Sequence, residues 1–115
     1  MKKKASRKKY TLLISTAGSQ EEASRIASHL VENRLVACVN IIPSIRSVYF
    51  WKDEVNDEFE SLLLIKSEKS RVKEIENAIR SIHSYETPEL IAFQLDYGMP
   101  AYLNWITDTV KKRKK

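Results

Sequence analysis

The 115-residue chain has little of several residue types, and each shortage excludes a class of protein. Two glycines and three prolines leave no room for a low-complexity linker, and no internal repeat is visible. No apolar run approaches the roughly 20 residues that a membrane-spanning helix requires. The single cysteine, Cys38, cannot form an intramolecular disulfide, so we expect a reducing compartment and a cytoplasmic protein. The basic N-terminal stretch has no small-residue cleavage site, and we predict no secretory signal.

Positive charge is concentrated at the two ends of the sequence. Residues 1–9 carry six Lys or Arg and residues 111–115 carry five, which leaves nine basic and 15 acidic residues between them, a net charge of −6. We therefore predict basic flexible tails at 1–9 and 111–115 around one acidic domain at 10–110. Such tails contact nucleic acid only non-specifically, through salt-sensitive phosphate contacts, and we predict no specific nucleic-acid partner.

The spacing of apolar residues predicts the element order βαββαβ followed by a C-terminal helix. Strands are predicted over 10–15, over 35–42 and 45–51 (one strand interrupted at Pro43), over 58–66 and over 89–96. Helices are predicted over 19–33, over 70–83 and from Pro100 onward. Ser19 and Glu22 form a predicted capping box. Pro43 indicates an edge, a bulge or a bend, and residues 53–57 a polar hairpin turn. The order is that of an α+β, ferredoxin-like sandwich, with a long β2–β3 hairpin and both long helices on one sheet face.

The strands predicted on either side of the hairpin turn carry apolar residues on both faces. Val48, Phe50, Leu62 and Leu64 alternate with residues that are expected to face the helices. In a chain this short, self-association is the simplest way to cover a second apolar face.

The segment 83–89 (HSYETPE) places an imidazole, a phenol, a hydroxyl and two carboxylates between a helix and a strand. His83 is a candidate metal ligand or pH-sensitive donor; alternatively it interacts with the dipole at the end of the helix. Four carboxylates become candidate ligands for a hard cation if they share one cleft, and are otherwise solvated charges. They are Glu58, Glu60, Glu86 and Glu89.

Large aromatic residues mark either a ligand cleft or a subunit interface, and Tyr49, Trp51 and Trp105 are the candidates here. Cys38 lies in an apolar strand, which is typical of a small buried hydrophobe rather than a reactive thiolate. The sequence has no glycine-rich phosphate loop, no recognisable Ser-His-Asp set and no dinucleotide fingerprint. We therefore predict that the protein is not an enzyme.

Taken in order, these segments resemble the CutA divalent-cation tolerance family over about residues 10–107. The segments that carry the resemblance are 34–40 (RLVACVN), 49–51 (YFW), 60–66, 83–89 and 102–105 (YLNW). It implies a ferredoxin-like subunit in a tight cytosolic homotrimer, with hairpins paired edge to edge and a link to copper and other divalent cations. Its implied metal ligands are a cysteine and a histidine pair, at positions occupied here by Ser15, Ile82 and His83. Because thiolate and imidazole give a site its copper affinity, this set predicts weak copper binding.

Three hypotheses follow. In the first, a homotrimer binds Cu²⁺ or another divalent cation at subunit clefts, through His83 with Glu60, Glu86 or Glu89. In the second, a PII-like signalling trimer binds a small molecule or a partner protein in the cleft, with Lys66 pairing an anion. The cleft residues would then be Cys38, Tyr49, Trp51, Lys66, Tyr85, Thr87 and Trp105. In the third, the trimer is a scaffold with no ligand of its own.

Overall fold

The computed structural model describes residues 9–111. Its strands are β1 (Tyr10–Ala17), β2 (Cys38–Trp51), β3 (Glu54–Glu68) and β4 (Ile91–Gln94), and its helices are α1 (Gln20–Glu32), α2 (Val72–Ile82) and α3 (Pro100–Thr109). The strands form one antiparallel sheet in the order β2-β3-β1-β4. This confirms the predicted ferredoxin-like βαββαβ arrangement with an additional C-terminal helix.

The predicted basic tails at 1–9 and 111–115 lie outside the described residues, except for Lys9 and Lys111. Lys9 forms an ion pair with Glu68, at 3.4 Å. Within residues 9–111, no helix combines the length and the apolar character needed to cross a membrane.

The β2–β3 hairpin is tighter at its tip than the sequence suggested. Strand pairing continues to Trp51 opposite Glu54, so the turn consists of Lys52 and Asp53 alone. Both turn residues have positive φ, 51° and 65°, as a two-residue type I′ turn requires. The prediction of a five-residue polar turn at 53–57 was wrong, because polar residues at exposed strand positions pair as well as apolar ones. Arg46 and Asp57, for example, form a two-contact ion pair across the hairpin at 2.7 and 2.8 Å.

Pro43 lies in β2, which is an edge strand of the sheet. The pairing register with β3 shifts between Ile42 and Ile45, so the strand bulges at the proline instead of ending there. The Ser61 hydroxyl donates to the Pro43 carbonyl at 2.9 Å and holds the bulge against β3. Both the edge position and the bulge agree with the sequence prediction.

Several other boundaries differ from prediction by a few residues, among them the ends of β1 at Ala17 and of β3 at Glu68. β2 begins at Cys38, later than predicted, because Leu35 N–H is turned back to the Leu30 carbonyl of α1; the first bond to β3 is made by Ala37 N–H, to the Lys66 carbonyl. β4 covers only Ile91–Gln94, the stretch that pairs with β1. α2 begins at Val72, after a 3₁₀ turn over Lys69–Arg71.

The main core lies between α1, α2 and the sheet. Ile26 and Leu30 of α1 and Ile75 and Ile79 of α2 are fully or almost fully buried. They pack with Leu13 of β1 and Leu63 and Ile65 of β3. Every third or fourth residue of each helix therefore faces the sheet, as the predicted apolar stripes required.

A second, smaller core lies where α3 crosses the beginning of β1. Leu103, Ile106 and Val110 pack with Tyr10, whose hydroxyl makes a 2.6 Å hydrogen bond with Thr107. α3 leaves a large apolar area of the hairpin and the sheet uncovered. Val48, Phe50, Val55 and Phe59 are 62–71% exposed. Of the residues predicted for a second apolar face, Val48 and Phe50 are exposed, whereas Leu62 and Leu64 are half-buried. Val48 pairs with Asp57, five residues from Leu62 on β3, so the two pairs lie on opposite faces and the prediction that they share one was wrong.

Candidate functional site

A cleft of about 490 Å³ opens between the hairpin and the loop that follows α2. Its walls are formed by Thr16, Ser47, Val48, Tyr49, Trp51, Glu60, Tyr85, Glu86, Thr87 and Glu89. Seven of the twelve predicted ligand or cleft residues are therefore brought together, and Glu58 is not among the residues that line the cleft. The seven are Glu60, Glu86, Glu89, Tyr49, Trp51, Tyr85 and Thr87.

The hairpin supplies one wall through regular strand pairing. Tyr49 and Trp51 are two residues apart on β2 and so share a face of the strand. Glu60 of β3 lies directly opposite Ile45 of β2. Ile45 is four residues before Tyr49 and six before Trp51, with no further bulge between them, so all three lie on one face of β2. Because directly opposed residues project to the same side, Glu60 shares the face of the two aromatic residues.

The loop after α2 is held in place by Glu22 of α1, which is only 5% exposed. Its carboxylate accepts two hydrogen bonds from Ser84, from the backbone N–H at 2.7 Å and from the hydroxyl at 3.0 Å. Burial acts to raise the pKa of Glu22, but the Ser84 hydrogen bonds, His83 and the Gly18 backbone together lower it. The predicted capping box is thus half formed: the Ser19 hydroxyl accepts from Glu22 N–H at 3.1 Å, while the Glu22 side chain binds the loop.

The His83 side chain has no exposed surface, although its backbone is partly accessible. Its Nδ1 accepts a hydrogen bond from Tyr85 N–H at 3.0 Å, so the proton is on Nε2, which donates to the Thr16 carbonyl at 2.7 Å. Glu22 Oε2 lies 3.5 Å from Nδ1. Both ring nitrogens are therefore used in holding the loop against β1 and α1. The prediction that His83 is a metal ligand stays a prediction, and it requires one of these contacts to break.

Tyr85 connects the loop to the hairpin. Its hydroxyl donates to Glu60 Oε2 at 2.8 Å, and its ring lies 4.7 Å from that of His83. Burial, followed by the hydrogen bond to Glu60, raises the pKa of Tyr85 far above its ordinary value, so the phenol remains a donor. The approach depends on Gly18, where a Cβ atom would lie 3.2 Å from the Tyr85 oxygen.

The cleft is acidic. Glu60 is 8% exposed, and neither lysine nor arginine is among the residues that line the cleft. Burial, with the added negative charge of Glu60, raises the pKa of Glu89. Burial and a hydrogen bond with Glu58 likewise raise the pKa of Tyr49. The part of these shifts that comes from Glu60 and Glu58 is an effect of negative charge, and a cleft lined by such charge favours positively charged ligands.

Three predicted cleft residues, Cys38, Lys66 and Trp105, do not line the cleft. Cys38 and Lys66 face each other near the start of β2, and both contact the Asn40 side chain. Trp105 lies on α3 beside Tyr102, with 5.5 Å between the ring centroids. In one chain, these residues belong to a different part of the surface.

Sequence reasoning missed several residues that build the site. Thr16, Ser47 and Val48 line the cleft, while Glu22 and Ser84 anchor its loop. Strand alternation from Tyr49 would have found Ser47. No signal in the sequence links Glu22 with Ser84, because this contact joins residues 62 positions apart.

Comparison with known proteins agrees with this architecture. The family model described as "CutA1 divalent ion tolerance protein" matches residues 11–109. The chain belongs to this family. It is 38% identical to the divalent-cation tolerance protein CutA of Archaeoglobus fulgidus over 96 residues, which cover 84% of this chain and 93% of that protein. The crystal structure of CutA1 from Oryza sativa superposes with a TM-score of 0.88 at 31% identity, covering 94% of this chain and all of that one.

Vertebrate members are longer. The chain is 42% identical to the CutA homolog of Xenopus laevis over 95 residues, which cover 83% of this chain and 63% of that protein. It spans 51% of the CutA protein of Mus musculus. The chain thus spans about half to two thirds of these vertebrate relatives, and nearly all of the archaeal one.

Proposed function

We propose that the protein is a homotrimeric divalent-cation-binding protein of the CutA type, which serves cation tolerance in the cytoplasm by binding the ion without catalysing a reaction. The observation that carries the proposal is the acidic cleft. Glu60 is almost fully buried there, Glu86 and Glu89 share the walls, and no cationic side chain lines it. Burial and, after it, the charge of Glu60 raise the pKa of Glu89, and a bound cation would neutralise that charge.

The chemistry of these ligands favours a hard cation over copper. Carboxylate oxygens suit ions such as Ca²⁺, Mg²⁺ and Mn²⁺, whereas tight copper sites use imidazole and thiolate. The one thiol, Cys38, is not among the cleft residues, and the nitrogens of His83 are engaged by Tyr85 and Thr16. The residues present therefore fit a hard divalent cation and fit copper poorly.

A trimer would complete the site. Among the described residues, no three His, Cys, Asp or Glu side chains come together closely enough to hold a metal ion. A cation held by Glu60 and Glu89 would fill its remaining coordination positions with water or with ligands from another copy. The exposed apolar residues of the hairpin, together with the outer edge of β2, support association between copies.

Calorimetric titration with Ca²⁺, Mg²⁺, Zn²⁺ and Cu²⁺ tests the proposal. We expect the wild type to bind a hard cation, and Glu60→Gln to weaken binding at least tenfold by removing the buried charge. Glu54→Gln is the matched control, since Glu54 is an exposed hairpin residue outside the cleft. If no cation binds the wild type, or if both variants behave alike, the cleft is not the cation site.

His83→Gln separates the two possible metal sites. If His83 ligates copper, its replacement weakens Cu²⁺ binding far more than Ca²⁺ binding. If it only positions the loop, as its hydrogen bonds support, the replacement affects Cu²⁺ and Ca²⁺ binding to the same extent.

The second candidate function is a PII-like trimer that senses a small molecule. It is favoured by the volume of the cleft, about 490 Å³, which is within the range of about 300–1,000 Å³ typical of small-molecule sites. Lys66, the expected partner of an anionic ligand, does not line the cleft. The acidic walls therefore support a cationic or neutral ligand, not an anion.

A further inference from the structure

The walls of the cleft combine aromatic rings with carboxylates. Tyr49, Trp51 and Tyr85 supply the rings, and Glu60 and Glu89 are two of the three acids. An inorganic cation needs only the oxygens, and it would leave most of the 490 Å³ and the aromatic surface unused. Rings next to carboxylates are typical of sites for organic ammonium ions, which bind both the charge and the ring face.

The protein already places an ammonium group of its own at the rim of this cleft. Lys52 Nζ lies 5.9 Å from the centroid of the Trp51 ring and 4.0 Å from Glu86 Oε1. Both Trp51 and Glu86 line the cleft, whereas Lys52 does not. The Lys52 side chain is 73% exposed, so it is held only weakly and a ligand can displace it. An aromatic ring and a carboxylate of the cleft thus already receive one alkylammonium ion.

Deeper in the cleft, Glu60 provides a second position for positive charge. It is 8% exposed, and within the described part of the chain Tyr85 is its one hydrogen-bond partner, through Oε2. The Oε1 atom is therefore left for a ligand. Since no described residue has a buried side-chain oxygen without a partner, Oε1 is open to the cleft, where an ammonium group can reach it.

We infer that the cleft binds a small organic amine in its protonated form. Its ammonium group pairs with Glu60 and Glu89, its alkyl chain packs on Tyr49 and Trp51, and a second ammonium group, in a diamine, takes the place of Lys52 beside Glu86. The inference rests on the same acidic cleft as the proposed function. It adds a ligand class that uses the aromatic walls, which a metal ion does not.

The probe is 1,5-diaminopentane, titrated calorimetrically into protein that has been stripped of metal with a chelator and dialysed. 1,5-Pentanediol, of similar length but uncharged, is the control ligand. We expect the diamine to bind at micromolar to low-millimolar concentration and the diol not to bind. Binding of neither compound, or of both equally, would overturn the inference.

Trp51→Leu removes the ring, and Trp105→Leu is its matched control, since both tryptophans are 44% exposed and only Trp51 lines the cleft. We expect Trp51→Leu to weaken diamine binding about 2- to 30-fold, the range for loss of a cation–π contact, and Trp105→Leu to leave it unchanged. Lys52→Met removes the internal competitor and should tighten diamine binding. If neither Trp51→Leu nor Lys52→Met changes diamine affinity, the assignment to this cleft is wrong.

The two proposals fail separately. Diamine binding without any divalent-cation binding would refute the proposed function and leave this inference standing. Divalent-cation binding without diamine binding would support the proposed function and refute this inference. Light scattering on each variant shows whether the assembly is unchanged, so that a loss of affinity is assigned to the cleft.

Discussion

Glu22 connects helix α1 to the loop that forms one wall of the cleft, and replacing it with glutamine is the sharpest test of that connection. The wild-type carboxylate accepts two hydrogen bonds from Ser84, at 2.7 and 3.0 Å, in a 5% exposed position. Glutamine has nearly the same shape but only one acceptor oxygen, and its NH₂ group would face a Ser84 donor. The loop therefore loses at least one charge-assisted hydrogen bond.

The expected cost follows from this loss. A hydrogen bond to a charged group contributes about 1.5–3 kcal/mol, so Glu22→Gln should lower the free energy of unfolding by about 2 kcal/mol at pH 7. Glu21→Gln is the matched control: Glu21 is the exposed neighbour in the same helical turn, and its loss should cost below about 1 kcal/mol.

The pH dependence provides a second readout. Because the pKa of Glu22 in the folded protein is below its ordinary value of 4.5, its contribution is present above that pH and is lost as the pH falls through the folded pKa. Urea unfolding at fixed protein concentration should show the difference between wild type and Glu22→Gln shrinking as the pH is lowered from 7 toward 2. A difference under 0.5 kcal/mol at pH 7, or one independent of pH, would refute the reasoning.

Three further predictions concern the hairpin and the cleft. Asp53→Gly should raise the free energy of unfolding by about 0.5–1 kcal/mol, because φ is 65° there and glycine adopts this conformation without strain. The control, Glu54→Gly in the adjoining strand, should lower the free energy of unfolding. Equal effects of the two variants in urea unfolding would contradict the turn assignment. Glu89→Gln should raise the melting temperature more at pH 7 than at pH 4. Because the pKa of Glu89 is raised in the folded protein, this residue stabilises the fold below its ordinary pKa, and the stabilisation is lost as the pH rises through the folded pKa. At pH 7 the ionised carboxylate is therefore unfavourable, and glutamine removes it. A change in melting temperature that is the same at both pH values would count against this reasoning. In light scattering, the wild type should have three times the mass of the 13.3-kDa chain. Phe50→Glu, at a 67% exposed position, should reduce this mass, whereas Lys69→Glu, at another exposed position, should not. A wild-type mass of 13.3 kDa would refute the trimer proposal.

Most of the fold could be predicted from the sequence because its signals are local. The stripes at Ile26 and Leu30 and at Ile75 and Ile79 repeat at helical spacing. Pro43 indicated an edge, a bulge or a bend, and the structure has an edge strand with a bulge there. The limits of β4 could not be predicted, because they depend on which residues of β1 remain available for pairing. The extent of the hairpin was missed for a related reason: residues such as Asp57 are polar, yet they pair in register.

The sequence was sufficient to identify most residues of the site, but not the contacts that each of them makes. The segment 83–89 and the acidic and aromatic residues of the hairpin were identified, and seven of them meet in one cleft. The roles of single residues depended on contacts distant in sequence. The sequence left His83 as either a candidate ligand or a residue interacting with the helix dipole, and only the structure places Thr16 and Tyr85 beside its two nitrogens. Glu22 looked like half of a capping box until Ser84 reached its carboxylate.

Fluorescence of Trp51 tests the central claim, that cations enter the cleft between the hairpin and the loop. The chain has two tryptophans, so Trp105→Phe leaves a single reporter, 44% exposed, in the cleft wall. On titration with Ca²⁺ or with 1,5-diaminopentane, we expect the Trp51 emission to change saturably, and Glu60→Gln in the same background to abolish the change. Emission from Trp51 that stays constant, at concentrations where calorimetry shows the protein to be saturated, would contradict the account.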